Sequence, residues 1–113
     1  MVQIYFTDEG GELRIDMLGH ADLKNIEKLD VLCAACTTLA DSLSLMAMVF
    51  DESEMLEEPA TIYVGDDGEG KARILCKPKP EFYRIVRTAF DTASAGFSYL
   101  STFYPEHVAF VRE

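Results

Sequence analysis

Histidine, aspartate and cysteine come together at His20, Asp30 and Cys33, in a chain with two histidines and three cysteines. A thiolate is a strong nucleophile, and an imidazole can act as its base; together they can cleave an acyl bond through a thioester. Asp30 stands where a helix N-cap is expected, which makes Val31, Leu32 and Cys33 the positions N1 to N3. A thiol in that first turn would feel the positive end of the helix dipole and unpaired backbone N–H groups, both of which favour the thiolate. His20 could reach back across residues 21–29 to act as its base.

Each residue also has a plainer reading. Cys33 can be a small buried hydrophobe, since free cysteines are among the most buried residues. His20 can be a surface residue at a strand end. Asp30 can cap the helix, orient the His20 ring, or do both; unpaired, its charge would oppose the thiolate. Cys33-Ala34-Ala35-Cys36 has the spacing of a dithiol redox site. It could equally give two zinc ligands, with His20 third and Cys76 fourth. The redox reading lacks the strand that should run straight into the cysteine loop of a βαβ unit. We assign no metal, no cofactor and no role to His107.

The elements that would position these groups follow from periodicity. Val2, Ile4 and Phe6 alternate with polar residues, as do Leu13, Ile15 and Met17, around the turn Asp8-Glu9-Gly10-Gly11. That is an antiparallel hairpin. Residues 21–29 read as a loop over the end of the sheet, with room for a helical turn. A helix is predicted from about Val31 to Phe50, with Leu32, Leu39, Leu43, Met46 and Phe50 as its core face. Beside them runs a stripe of small residues, Cys33, Thr37, Ala40, Ser44 and Ala47. Glu52, Glu54, Glu57 and Glu58 form an acidic surface loop. Residues 60–64 and 71–76 form a second hairpin around Gly65-Asp66-Asp67-Gly68-Glu69-Gly70. A second helix covers about 81–102, and 106–111 form a last strand. The order ββαββαβ predicts an α+β two-layer sandwich, an antiparallel or mixed sheet with both helices on one face.

The 113 residues suit a single domain, 1–113, with 49% hydrophobic and 27% charged residues. The formal charge of −10 argues against nucleic acid as a direct ligand and is compatible with a basic protein partner. The most apolar run, Leu43 to Phe50, is shorter than the roughly 18 residues of a membrane span. No signal peptide is read at the N-terminus. The odd cysteine count gives no disulfide framework, so a reducing cytoplasm is the expected location.

Gly19-His20-Ala21, followed after a loop by Asp30-Val31-Leu32-Cys33-Ala34-Ala35, resembles the G-H-A … D-[IV]-V-C-A-A signature of the bacterial ribosomal-processing cysteine proteases (Prp). The element order and length are similar as well. The resemblance implies a homodimeric protease that removes a short N-terminal extension from a large-subunit ribosomal protein, a step in ribosome assembly. It implies Cys33 as nucleophile and His20 as base, with a loop between them that moves over the site. Asp30 matches the aspartate of the signature. Three departures stand out: a loop about one residue longer, without the family's glycines and aromatic residue; Thr37 in place of serine; and Cys36 in place of an apolar residue. The competing reading is a non-enzymatic assembly factor that only binds.

Overall fold

The computed structural model describes residues 1–19, 26–64 and 71–113, and only the backbone course of residues 26–30 and 64. The elements are β1 (Val2–Glu9), β2 (Glu12–Leu18), α1 (Ile26–Glu52), β3 (Thr61–Val64), β4 (Ala72–Cys76), α2 (Tyr83–Phe103) and β5 (Val108–Arg112). A 3-10 turn, Pro80–Phe82, leads into α2; proline suits its start because the missing N–H would be unpaired there anyway. The strands form one mixed sheet in the order β3-β4-β2-β1-β5. Among the described residues only the β1–β5 pair is parallel. The expected sandwich and the antiparallel strand pairs of both hairpins are observed, and the turn expected at residues 65–70 lies outside the described residues.

Glu9 pairs with Glu12 across a two-residue turn. Gly10 and Gly11 there have φ of 63° and 81°, the backbone that a tight hairpin of this kind demands at both central positions. Alternation then sorts the two strand faces. Val2, Ile4, Phe6, Leu13, Ile15, Ile74, Cys76 and Val108 are buried against the helices. From α2, Val86, Phe90, Ala93, Phe97 and Leu100 complete that core.

The core face of α1 differs from the expected one. Leu32, Cys36, Ala40, Leu43, Ala47 and Phe50 are buried, whereas Met46 is 41% exposed. Small side chains let the helix backbone lie close to the sheet, so much of the small stripe is the packing face and the longer Met46 turns outward. Buried Ser44 is satisfied by donating to the Ala40 carbonyl at 2.9 Å. Outward-facing Val31, Leu45, Met46, Met48 and Val49 leave the other side of α1 apolar. Consequently Val31–Glu52 is long and apolar enough to cross a membrane by length and composition, although the expectation from the Leu43–Phe50 run is otherwise. In this fold the same stretch is the packed central helix, its buried third facing the core.

Far from β2's exit, a charged cluster locks α2 to the sheet. Asp8 accepts from both the Tyr83 hydroxyl and Arg87. Arg87 also donates to Asp91 at 3.0 Å, and its guanidinium lies 5.0 Å from the centre of the buried Phe6 ring.

Candidate functional site

The helix that carries the thiol begins earlier than its sequence suggests. α1 starts at Ile26, so Asp30 lies within it and is not its N-cap. The cause is local: Ile26, Leu29, Leu32 and Cys33 continue the spacing of three and four residues, and Glu27 and Lys28 are good helix formers. Cys33 becomes the eighth residue of α1, in its third turn. Inside a helix the N–H at position i is given to the carbonyl at i−4, so the N–H of Cys33, the eighth residue, is not among the unpaired ones. The dipole's effect is likewise confined to the first turn. Cys33 therefore receives neither of the helix-start contributions expected for it.

Burial separates the three thiols, all of which are free. Cys33 is half-buried at the margin of the core, whereas Cys36 is 2% and Cys76 0% exposed. Burial pushes the Cys36 thiol up to about 11, with the neighbouring Cys33 adding to the effect. Burial, and secondarily the charge of Asp51, pushes Cys76 up to about 12. Both therefore stay protonated at neutral pH, and a buried, protonated thiol is a poor nucleophile. This weighs against the dithiol reading, which needs Cys36 as well as Cys33. Among the described residues, no three His, Cys, Asp or Glu side chains are grouped as metal ligands.

The C-terminal end of α1 is tied to the end of β4. Glu57 donates to the Lys77 carbonyl at 2.8 Å, and Lys79 donates to that of Met55 at 2.9 Å. Since Cys76 pairs with Leu13 at the start of β2, the N-terminal part of α1, with Cys33, runs toward the other end of the sheet. That is where β2 ends at Leu18 and Gly19. His20 lies outside the described residues, as does the side chain of Asp30. His107 stands at the same end of the sheet: its carbonyl accepts from Val2 N–H at 2.8 Å. Its Nδ1 is buried without a hydrogen-bond partner among the described residues.

Sequence reasoning missed two surfaces. An open cavity of about 580 Å³ on the uncovered sheet face, near β2's exit, is lined by Tyr5, Asp16, Leu18, Tyr63 and Arg73. Its signal was the outward half of the strand alternation. The register Tyr63↔Arg73↔Asp16↔Tyr5 sets these four side by side across four strands. Arg73 donates to Asp16 at 2.6 Å. On the outer face, a groove of about 290 Å³ runs between α1 and α2, lined by Leu39, Ser42, Leu43, Met46, Ala89 and Thr92.

Neither the protein-family models nor the curated proteins give a match to this sequence. Solved structures do. SMU.848 from Streptococcus mutans superposes with a TM-score of 0.70 at 20% identity, over 100% of this chain and 96% of that one. The essential ribosomal processing protease Prp from S. aureus, in complex with a substrate peptide, gives 0.64 at 16% identity over 100% of both chains. The same protease with a covalently linked product peptide gives 0.66 at 18%, again over 100% of both. At these identities the likeness is one of fold: over its whole length the chain shares the architecture of a ribosomal processing protease.

Proposed function

We propose that this protein is a cysteine endopeptidase that removes a short N-terminal extension from a large-subunit ribosomal protein. The observation that carries the reading is the exposure of the thiols. Of the three, only Cys33 reaches the surface, and it does so on the helix that follows Gly19-His20-Ala21. Two further points support it: a fold shared with the S. aureus protease, and that protease's capture with a covalently linked product peptide.

The chemistry balances on two side chains. His20 takes the Cys33 proton as sulfur attacks the peptide carbonyl, and returns it to the leaving amine as the C–N bond breaks. Water, deprotonated by His20, then cleaves the thioester and restores the thiol. Asp30 has a supporting role from its place in α1, one helical turn before Cys33. No metal or cofactor takes part. We place the protein in the cytoplasm, where its three thiols stay reduced. We also propose that it acts as a homodimer, which the apolar outer face of α1 supports. Its acidity, −10 overall, suits a basic substrate protein.

The test is incubation with the same organism's ribosomal protein precursor, read by mass spectrometry. The expected result is one cut that releases the extension. A precursor that is bound tightly and stays whole would favour a binding-only assembly factor.

A further inference from the structure

α1 packs over β4, and β3 lies beyond β4 as the terminal strand of the sheet. One flank of α1, with Leu39, Ser42 and Met46, borders the groove to α2. The opposite flank is marked by Asp51, whose Oδ2 accepts the Ala60 N–H at 3.0 Å just before β3 begins. Cys33 and Asp51 are 18 residues apart in α1, five turns at 3.6 residues per turn, so Cys33 shares the flank that faces β3. Thr37 and Ser44 lie between them on that flank. Ile62 of β3 pairs with Ile74, which is 0% exposed, and so belongs to the helix-covered face, yet Ile62 itself is 36% exposed. An apolar corner is thus left open between α1 and β3. Edge strands are usually protected by charge, proline or a bulge. At the other edge β5 carries Arg112, followed by Glu113, whereas β3 reads Thr61-Ile62-Tyr63-Val64, with neither charge nor proline.

We propose, resting on the peptidase reading, that this corner binds the substrate as an added extended strand: its backbone pairs with the outer edge of β3, and alternate side chains pack on Ile62 and the Cys33 flank of α1. A peptidase must hold its substrate extended to present one bond. Strand addition does so through the backbone, with a side-chain preference at every second residue. Geometry sets the reach. From Asp51 to Cys33 α1 rises about 27 Å, and β3, which starts near Asp51, spans about 10 Å. The remaining distance of about 17 Å takes roughly five extended residues. β3 therefore reads a segment roughly five or more residues from the cut bond, where binding acts far from the reacting atoms. Charge agrees with this occupant. Exposed Glu52, Glu54 and Glu58 stand between Asp51 and the start of β3, so the distal part of the bound segment is basic.

Strand addition has a signature that a plain groove lacks. A peptide spanning the cut of the same organism's ribosomal protein precursor is made with a single N-methyl group at each position in turn, which removes one backbone donor. In the distal segment every second N-methyl group should raise KM at least about fivefold, and those between them less than about twofold, with kcat little changed. Ile62→Lys should raise KM for the unmodified peptide about tenfold with an unchanged circular dichroism spectrum, whereas Val111→Lys on β5 should leave it within about twofold. If Ile62→Lys does not fold, the N-methyl series on the unaltered protein decides alone. N-methyl effects without a two-residue period, or an unchanged KM in folded Ile62→Lys, overturn the proposal and leave the peptidase reading standing. Conversion of a dimer to a monomer by Ile62→Lys would assign the edge to a second copy and overturn it as well. If the protein does not cleave the peptide, the peptidase reading falls, and fluorescence anisotropy of the same labelled series reads the edge by itself. Affinity lost at alternate positions then keeps strand addition, and affinity that is flat or absent overturns it.

Discussion

Cys33 and Cys36 are three residues apart on one helix, and they face different surroundings. Cys33 is half-buried at the core margin, whereas Cys36 is 2% exposed with its thiol pushed up to about 11. One helical turn is enough to separate a reachable thiol from one sealed among Leu32, Ala40 and the sheet. With iodoacetamide at neutral pH, Cys33 should be alkylated first and Cys36 and Cys76 only after unfolding. Peptide mapping of the alkylated sites checks this. Cys36→Ala should keep most of the cleavage activity, and a chelator should not reduce it. Equal loss in the Cys33 and Cys36 variants would restore the dithiol reading.

The buried thiols also set an alkaline limit on stability. Their pKa values are raised in the folded state from 9.0 to about 11 for Cys36 and to about 12 for Cys76. The unfolded chain thus loses these protons first as pH rises. The stabilisation is fully present below pH 9 and is lost as pH climbs through 9 toward 11 and 12. By pH 10 the two thiols together should cost about 3 kcal/mol. Denaturant titrations at pH 8 and pH 10 measure the difference. Cys36→Ala should reduce this pH dependence, whatever it does to stability at pH 8.

Where α1 crosses α2, Leu39 fills the space above Gly96: a Cβ on Gly96 would lie 2.7 Å from Leu39 Cδ2. Gly96→Ala gains about 0.5–1 kcal/mol of helix propensity and loses part of it by displacing Leu39. In a Leu39→Ala background that displacement disappears, so the same substitution should be stabilising by about 1 kcal/mol. A double-mutant cycle by urea unfolding reads the coupling. Additive effects would mean that the two side chains do not meet at this crossing.

The proposed homodimer would bury the outer face of α1. Leu45 is 63% and Met48 49% exposed, close to the apolar groove between the helices. Light scattering at micromolar concentration should give twice the chain mass, and Leu45→Lys with Met48→Lys should halve it. A wild-type monomer would contradict the proposal.

The hairpins are legible in the sequence because their pattern is local: apolar residues alternate, and Gly10-Gly11 allows only a tight turn. α2 is legible because Val86, Phe90, Ala93, Phe97 and Leu100 keep one stripe. The start of α1 is not, because Asp30 offers an attractive cap while Ile26 and Leu29 sit in an otherwise polar run. The helical spacing of those two residues outweighs the capping preference of Asp30. The α1 core face is hidden for a related reason: the sheet selects the small residues Ala40 and Ala47 for closeness, and hydrophobicity alone would select Met46. The closeness of Gly19 to Met1, whose carbonyl oxygen would stand 2.4 Å from a Cβ on the glycine, joins strand ends that no local pattern connects. For the site, the sequence marks Cys33 and His20 by type and by likeness to a signature. The different burial of Cys33 and Cys36 emerges only once the helix has a sheet to lie on.

The peptidase reading stands or falls on a covalent intermediate at Cys33, which rapid-quench mass spectrometry of the protein mixed with its precursor detects. Acid quenching within the first turnover should trap part of the chain as a thioester, mapped to Cys33. Cys33→Ser should form no thioester and release no extension, because an alcohol is a much weaker nucleophile beside an imidazole suited to a thiol. Precursor cleaved at the wild-type rate by Cys33→Ser, or a thioester mapped to Cys36, would rule out Cys33 as the nucleophile.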